Sequence, residues 1–162
     1  MLSHKEKKRA IKSIKTKGYF IFKSIIKKND IDKYSEILFK QKSYGQASFY
    51  KKKIIDKSTK QVFNLQNKNK IFLNLIENKL MNEINRYFLN DRNYKSIDKK
   101  YPNYTLSQFV ARSSGKEACV VHMDDKCPST SLNVNYLQWA VPLTDTNVKN
   151  GCTTLLEGSH KF

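Results

Sequence analysis

His122 and Asp124 are the two residues of this sequence whose types and spacing best suit metal chemistry. They stand at the end of an apolar run, Ala118–His122, and a single residue, Met123, separates them. In an extended strand, side chains two residues apart project from the same face, so this imidazole and this carboxylate can grip one small ion between them. They would supply two of the three ligands of a 2-His-1-carboxylate triad, which binds ferrous iron and leaves positions open.

The same pair of residues has a simpler interpretation. His122 is then a half-buried strand histidine and Asp124 is the first residue of a turn, because motifs this short also arise by chance. The triplet alone does not decide between the two interpretations, and its surroundings in the chain have to.

Length and composition favour one globular domain without a membrane span. The chain has 162 residues, of which 39% are hydrophobic and 12% aromatic, which is too apolar for a disordered protein. Its longest apolar runs fall well short of the roughly 20 residues of a membrane helix. The basic N-terminus precedes no apolar segment of secretory length, so we expect a cytoplasmic protein. The three cysteines lack CxxC spacing and are expected to be free thiols.

The formal net charge of +17 raises the alternative of a basic nucleic-acid-binding protein. The lysines are scattered among Asn and Ile, and Arg is scarce. A dedicated nucleic-acid surface more often uses Arg and interleaves aromatic residues. The pattern therefore argues against nucleic acid as a partner and favours a bias in composition, with clusters such as Lys51–Lys53 as solvated surface.

The first hundred residues predict mainly helices. Ser3–Lys15 suits a surface helix that Gly18 ends, and Tyr19–Phe22 has the composition of a strand. A second helix follows, with Asn29 or Asp30 as its N-cap. Its apolar residues recur at helical spacing: Ile31, Tyr34, Ile37 and Leu38.

A long loop, Gln41–Asp56, separates these elements from a helix predicted over Asn67–Asn90. That helix carries one apolar stripe, which we expect to pack on a sheet. The stripe comprises Phe72, Leu75, Ile76, Leu80, Ile84 and Phe88.

Strand patterns take over after Asp91. The predicted strands are Tyr104–Arg112, Ala118–His122, Asn133–Leu143 and Cys152–Leu156. Turns are expected at Ser113–Gly115 and at Gly151. Helices followed by a run of strands predict an antiparallel sandwich, barrel or jelly roll.

Several separated stretches resemble, in order, the phytanoyl-CoA dioxygenase family of iron(II)/2-oxoglutarate oxygenases. They are GYFIF, FNLQNKNKIFLNLIENKLMNEINRYFL, the strand carrying Gln108, SSGK, VVHMDD and PLTDTNVKNGCTTLLEGSHKF. The last stretch is the most specific, since relatives carry an acidic turn ending in Asn-Gly and then Pro-Gly-Ser-His. The matching residues are Asp145, Asn150, Gly151, Gly158, Ser159 and His160, with Glu157 in place of the usual proline. The resemblance runs from about Gly18 onward.

This resemblance implies an α+β fold in which N-terminal helices pack on a double-stranded β-helix, a jelly-roll or cupin-like core. It makes His122 and Asp124 the first two ligands of Fe(II), and it places Gln108 toward the cosubstrate 2-oxoglutarate. From the residues alone, Gln108 is as readily an inward polar residue hydrogen-bonded to a neighbouring strand. The implied partners are a small-molecule substrate and molecular oxygen, and the substrate itself stays open.

One departure from the family concerns the third ligand. In relatives, the distal His and the Arg that pairs with 2-oxoglutarate follow many tens of residues after Gly-Ser-His, so His160 is not that ligand. We therefore expect residues 1–162 to be a single partial domain, with a mainly helical part over 1–100 and the first strands of the core over 101–162. Such a truncated chain would bind iron weakly. A non-catalytic jelly-roll binding domain is the alternative.

Overall fold

The computed structural model describes residues 3–40, 61–89, 106, 109–112 and 136–161. Their helices and strands are, in chain order, α1 (His4–Lys17), α2 (Lys28–Lys40), β1 (Gln61–Phe63), α3 (Leu73–Ile76), α4 (Lys79–Leu89) and β2 (Val110–Arg112). Short 3-10 turns cover Leu65–Asn67, Lys70–Phe72 and Ser159–Lys161. Over these segments, the helices are too short or too polar to cross a bilayer. The predicted loop Gln41–Asp56 and the predicted strand Ala118–His122 lie outside the described residues.

Helix α1 confirms the first predicted helix and its stop signal. The Ser3 side chain accepts a hydrogen bond from the Glu6 N–H at 3.2 Å, which satisfies one of the free N–H groups of the first turn. At the other end, Gly18 takes a left-handed conformation with φ 90° and donates to the Ile14 carbonyl at 3.0 Å. Both ends are thus set by local sequence.

Helix α2 confirms the second predicted helix but corrects its start. The helix begins at Lys28, so Asn29 and Asp30 lie inside its first turn. The N–H groups of Asp30 and Ile31 both donate to the Lys27 carbonyl, at 3.0 and 3.2 Å. The prediction that Asn29 or Asp30 is the N-cap is therefore wrong, although a carboxylate in the first turn is still favourable to the helix dipole.

The single helix predicted over Asn67–Asn90 is divided. A 3-10 turn and the short α3 precede a break at Glu77, and α4 starts afresh at Lys79. The cause is Asn78, whose side-chain oxygen accepts from the N–H groups of Leu80 and Met81 at 3.1 and 3.2 Å. Asparagine competes with the helical backbone in this way and favours caps over helix interiors.

The core forms where α2, the 3-10 turns and the two-stranded sheet meet. Strands β1 and β2 are antiparallel, with Val62 opposite Ala111. The buried residues of this cluster are Tyr34, Leu38, Val62, Leu65 and Phe72. Tyr34 and Phe72 stack with ring centroids 5.4 Å apart. One small core therefore joins segments that are far apart in the sequence.

Four of the predicted strands are shorter or missing in the described residues. Tyr19–Phe22 and Cys152–Leu156 lie in irregular backbone, and so does the described part of Asn133–Leu143, residues 136–143. Of Tyr104–Arg112, the strand is Val110–Arg112. A strand needs a hydrogen-bonding neighbour, and composition alone does not supply one.

Helices α1 and α4 pack side by side. Ala10 of α1 and Ile84 of α4 are both 0% exposed. At the rim, Lys7 forms an ion pair with Glu83 at 2.8 Å, and the Lys15 ammonium donates to the Tyr87 hydroxyl at 2.8 Å. These two side-chain contacts connect α1 to α4.

The Gly-Ser-His turn near the end of the chain docks on the C-terminal end of α1. The Gly158 N–H donates to the Lys17 carbonyl at 2.9 Å. His160 Nε2 lies 3.2 Å from the Lys15 carbonyl oxygen, so the Nε2-protonated ring donates to it. Lys17 also pairs with Glu157 at 3.2 Å. The last carbonyls of a helix have no partner within the helix. This turn supplies hydrogen-bond donors to two of them, the carbonyls of Lys15 and Lys17.

The docked turn places the His160 ring close to Gly18. This contact yields a first prediction. A Cβ at Gly18 would lie 2.6 Å from His160 Nδ1. We expect Gly18→Ala to lower the free energy of unfolding by more than the roughly 1–2 kcal/mol of a left-handed backbone alone, because the His160 ring must also move. Chemical denaturation measures the loss.

Gly158→Ala is the matched control. Gly158 has nearly the same backbone, φ 85°, but no atom lies within 4 Å of its added Cβ. It should therefore show the backbone cost without the clash. Equal losses for the two variants, or a Gly18→Ala loss that persists unchanged in a His160→Ala background, would contradict the docked arrangement.

The packing of α1 on α4 yields a second prediction. Ile84→Ala should lower the free energy of unfolding by about 2–5 kcal/mol, since it removes buried methyl groups and leaves a cavity. The same substitution at Ile21, which is 72% exposed, should change it by about 0.5 kcal/mol or less. Comparable effects at both positions would show that Ile84 is not packed as described.

Candidate metal centre

The predicted site residues Gln108, His122 and Asp124 lie outside the described residues. The structure describes residues that neighbour them in the chain. Phe109 directly follows Gln108 in the chain and precedes β2, while the segment 136–161 follows the His-x-Asp triplet. The described surroundings therefore show how the chain is anchored on either side of the predicted site.

The Phe109 end is anchored by both its ring and its backbone. The Phe109 ring meets Phe72 edge-on, with centroids 6.2 Å apart and planes at 89°. Its carbonyl accepts a hydrogen bond from the Leu65 N–H at 3.3 Å. Edge-to-face pairs of this kind stabilise by about 0.5–1.5 kcal/mol beyond burial of area. The residue after Gln108 is thus held against the core.

Later in the chain than the His-x-Asp triplet, residues Asp145–Gly151 form a turn, as the sequence predicts. The Asn150 amide donates to the Asp145 carbonyl at 2.8 Å and accepts from the Asn147 N–H at 2.6 Å. Asn147 in turn accepts from the Lys149 N–H at 2.9 Å. Gly151 takes φ 85°. Asparagine side chains that bond nearby backbone are typical of such turns.

Trp139 is a positioning residue that the sequence analysis missed. Its indole N–H donates to the Asn85 side chain of α4 at 2.7 Å, and its ring stacks on Phe22 with centroids 5.4 Å apart. It connects the segment after the predicted site to α4 and to the stretch after α1. One signal was available, since the chain has a single Trp and a partly buried indole N–H usually finds an acceptor.

Leu143 makes a second connection on the same segment. It packs against the cluster of Tyr34 and Phe72, and its carbonyl accepts from the Ser35 hydroxyl of α2 at 3.5 Å. The segments before and after the predicted site therefore meet the same core.

The pKa shifts of the described residues arise from surface ion pairs and from burial in the core. The hydrogen bond and the charge of Lys7 lower the pKa of Glu83, and Lys40 lowers the pKa of Glu36 in the same way. Burial, with a smaller contribution from Asp30, raises the pKa of Tyr34. All three groups lie on helices, in surface pairs or in the core, and none has the cleft setting of a catalytic acid or base.

Metal ligands do not cluster in the part of the chain that the structure describes. There, no three His, Cys, Asp or Glu side chains come close enough to hold an ion. His160 contacts the Lys15 carbonyl on α1. The predicted pair His122 and Asp124 lies outside that part, and its role in metal binding stays a prediction.

Comparison with known proteins places the chain in a family. The family model described as phytanoyl-CoA dioxygenase (PhyH) matches residues 14–162. No curated protein and no solved structure matches the chain. The matched range includes Gln108, the His-x-Asp triplet, the Asp145–Gly151 turn and the docked Gly-Ser-His turn. Because it spans nearly the whole sequence, this chain belongs to the phytanoyl-CoA dioxygenase family.

Proposed function

We propose that this protein is an iron(II)- and 2-oxoglutarate-dependent oxygenase that hydroxylates a small molecule with molecular oxygen. The observation that carries the proposal is the family match over residues 14–162, which contains the His-x-Asp triplet. His122 and Asp124 would bind the ferrous ion, and Gln108 would bind 2-oxoglutarate.

Family membership implies a jelly-roll or cupin fold, and the described residues contain helices and a two-stranded sheet. We further propose that residues 1–162 belong to one domain. Its mainly helical part is 1–100, and residues 101–162 contribute strands to the jelly-roll core. The core cluster that contains Tyr34 and Phe72 supports one domain, because Phe109, from the second part, packs against it.

The donor chemistry of the two proposed ligands fits ferrous iron. A neutral imidazole and a carboxylate are the ligand types of the facial iron sites that leave positions free for cosubstrate and oxygen. One residue between them suits an extended backbone, in which both side chains share a face. Both side chains bind a metal in their deprotonated forms, so we expect ferrous binding to weaken in acid.

When bound, ferrous iron with 2-oxoglutarate supplies the oxidising chemistry of such a site. The protein contributes position and exclusion of water. His122 and Asp124 would hold the metal, and Gln108 would bind and orient the cosubstrate. The next residue in the chain after Gln108, Phe109, packs on Phe72. Substrate selection would then fall to loops, which vary freely between relatives.

The test is anaerobic titration with ferrous ammonium sulfate in the presence of 2-oxoglutarate. We expect His122→Ala and Asp124→Asn to weaken ferrous binding by at least about tenfold, because substitutions even behind the ligands of metal sites cost 10–100-fold. Circular dichroism and thermal denaturation check that each variant is folded.

His160→Ala is the matched control for histidine loss. Its ring contacts the Lys15 carbonyl of α1, so its removal should weaken docking and leave ferrous affinity unchanged. Equal ferrous affinity in the wild type and in His122→Ala would refute the assigned ligands. A folded wild-type chain that binds no ferrous ion would contradict the oxygenase proposal and favour a non-catalytic jelly-roll domain.

A further inference from the structure

The dipeptide Asn150–Gly151 is the one place in the sequence where glycine follows asparagine. This pair has a distinct chemical property. An asparagine side-chain amide can be attacked by the backbone nitrogen of the next residue, and glycine lacks the side chain that would hinder the attack. Asparagine is for this reason among the thermally labile residue types.

The structure places this dipeptide where water reaches it. Asn150 and Gly151 are both exposed, and over the described residues the Gly151 N–H makes no hydrogen bond. An exposed, unbonded N–H can lose its proton to hydroxide, which makes the nitrogen nucleophilic. Gly151 also takes φ 85°, so a glycine is required at the attacking position of this turn.

We propose that Asn150 is a site of spontaneous covalent modification, at which the asparagine becomes aspartate or isoaspartate. The Gly151 nitrogen forms a bond to Asn150 Cγ, the bond from Cγ to Nδ2 breaks, and ammonia leaves with the proton of the Gly151 amide. The resulting five-membered imide is opened by water at either of its two carbonyls. The net reaction consumes one water and releases one ammonia.

The hydrogen bonds of the turn restrain this reaction in the folded chain. Asn150 Nδ2 donates to the Asp145 carbonyl at 2.8 Å, and Asn150 Oδ1 accepts from the Asn147 N–H at 2.6 Å. Both bonds hold the side-chain amide within the turn, so the attack requires them to open. Modification should therefore be faster in the unfolded chain than in the folded chain.

The product does not fit the turn as asparagine does. A carboxylate can still accept from the Asn147 N–H, but it places an acceptor oxygen where Nδ2 donated to Asp145. Two acceptors then face each other at hydrogen-bonding distance. In isoaspartate the main chain is also longer by one methylene. Conversion at Asn150 thus loosens the Asp145–Gly151 turn.

The experiment incubates the full chain in mildly alkaline buffer and follows it by ion-exchange chromatography and peptide mass spectrometry. Conversion lowers the formal net charge of +17 by one, so the modified chain elutes earlier from a cation exchanger. Asn147 is an internal control, because it lies in the same exposed turn but precedes the β-branched Val148. We expect aspartate and isoaspartate at Asn150 while Asn147 stays intact.

Two comparisons complete the test. Asn150→Gln should abolish the charge change, because attack on a longer side chain closes a larger and less favourable ring. Incubation of the wild type in urea should speed the conversion at Asn150. Equal conversion at Asn147 and Asn150, no conversion at Asn150 in the folded or the unfolded chain, or equal rates with and without urea would overturn the proposal.

Discussion

The stacking of Tyr34 on Phe72 is the contact on which the described structure depends. Tyr34 comes from α2 and Phe72 from the 3-10 turn before α3, and their ring centroids are 5.4 Å apart. The Phe109 ring packs against the Phe72 ring in an edge-to-face arrangement. Full burial of one such side chain stabilises by about 1.5–3 kcal/mol. The strand pairing of β1 with β2 is only three residues long and would be marginal without this core.

A second anchor holds α1 to the end of the chain. The basic residues Lys15 and Lys17 stand in the last turn of α1, where positive charge is favourable to the helix dipole. The Lys15 carbonyl accepts a hydrogen bond from His160, and the Lys17 carbonyl accepts one from the Gly158 N–H. The two anchors are independent, since the first lies beneath the sheet and the second caps a helix. Together they connect the N-terminal helices to residues 109 and 158–160 of the second part of the chain.

The features that the sequence predicted correctly are local ones. Helix α1, its stop at Gly18, helix α2 and the Asp145–Gly151 turn each follow from residues within a few positions of one another. The division of the helix after Asn67 also has a local cause in Asn78, but helix propensity and the apolar stripe outweighed that single residue in the sequence pattern.

The features that were missed are non-local. The strands expected at Tyr19–Phe22 and Cys152–Leu156 have suitable composition but pair with no strand among the described residues. A sequence window contains no information on the partner strand. The contact of His160 with α1 joins opposite ends of the chain, which no spacing rule relates. For the iron site, the sequence suggests ligand types and the family supplies their role. The position of His122 and Asp124 relative to the core depends on such non-local pairing.

The departure of Glu157 from the family's proline can be weighed in the same terms. A proline with a compatible backbone stabilises by about 0.4–1 kcal/mol, mainly by restricting the unfolded chain. Glu157 lacks that restriction but pairs with Lys17 at 3.2 Å, with about half of each side chain exposed. An exposed ion pair of this kind contributes about 0–1 kcal/mol. The two effects are of similar size, so the Lys17–Glu157 ion pair offsets the absent proline, while the Gly158 N–H and His160 hold the turn on α1.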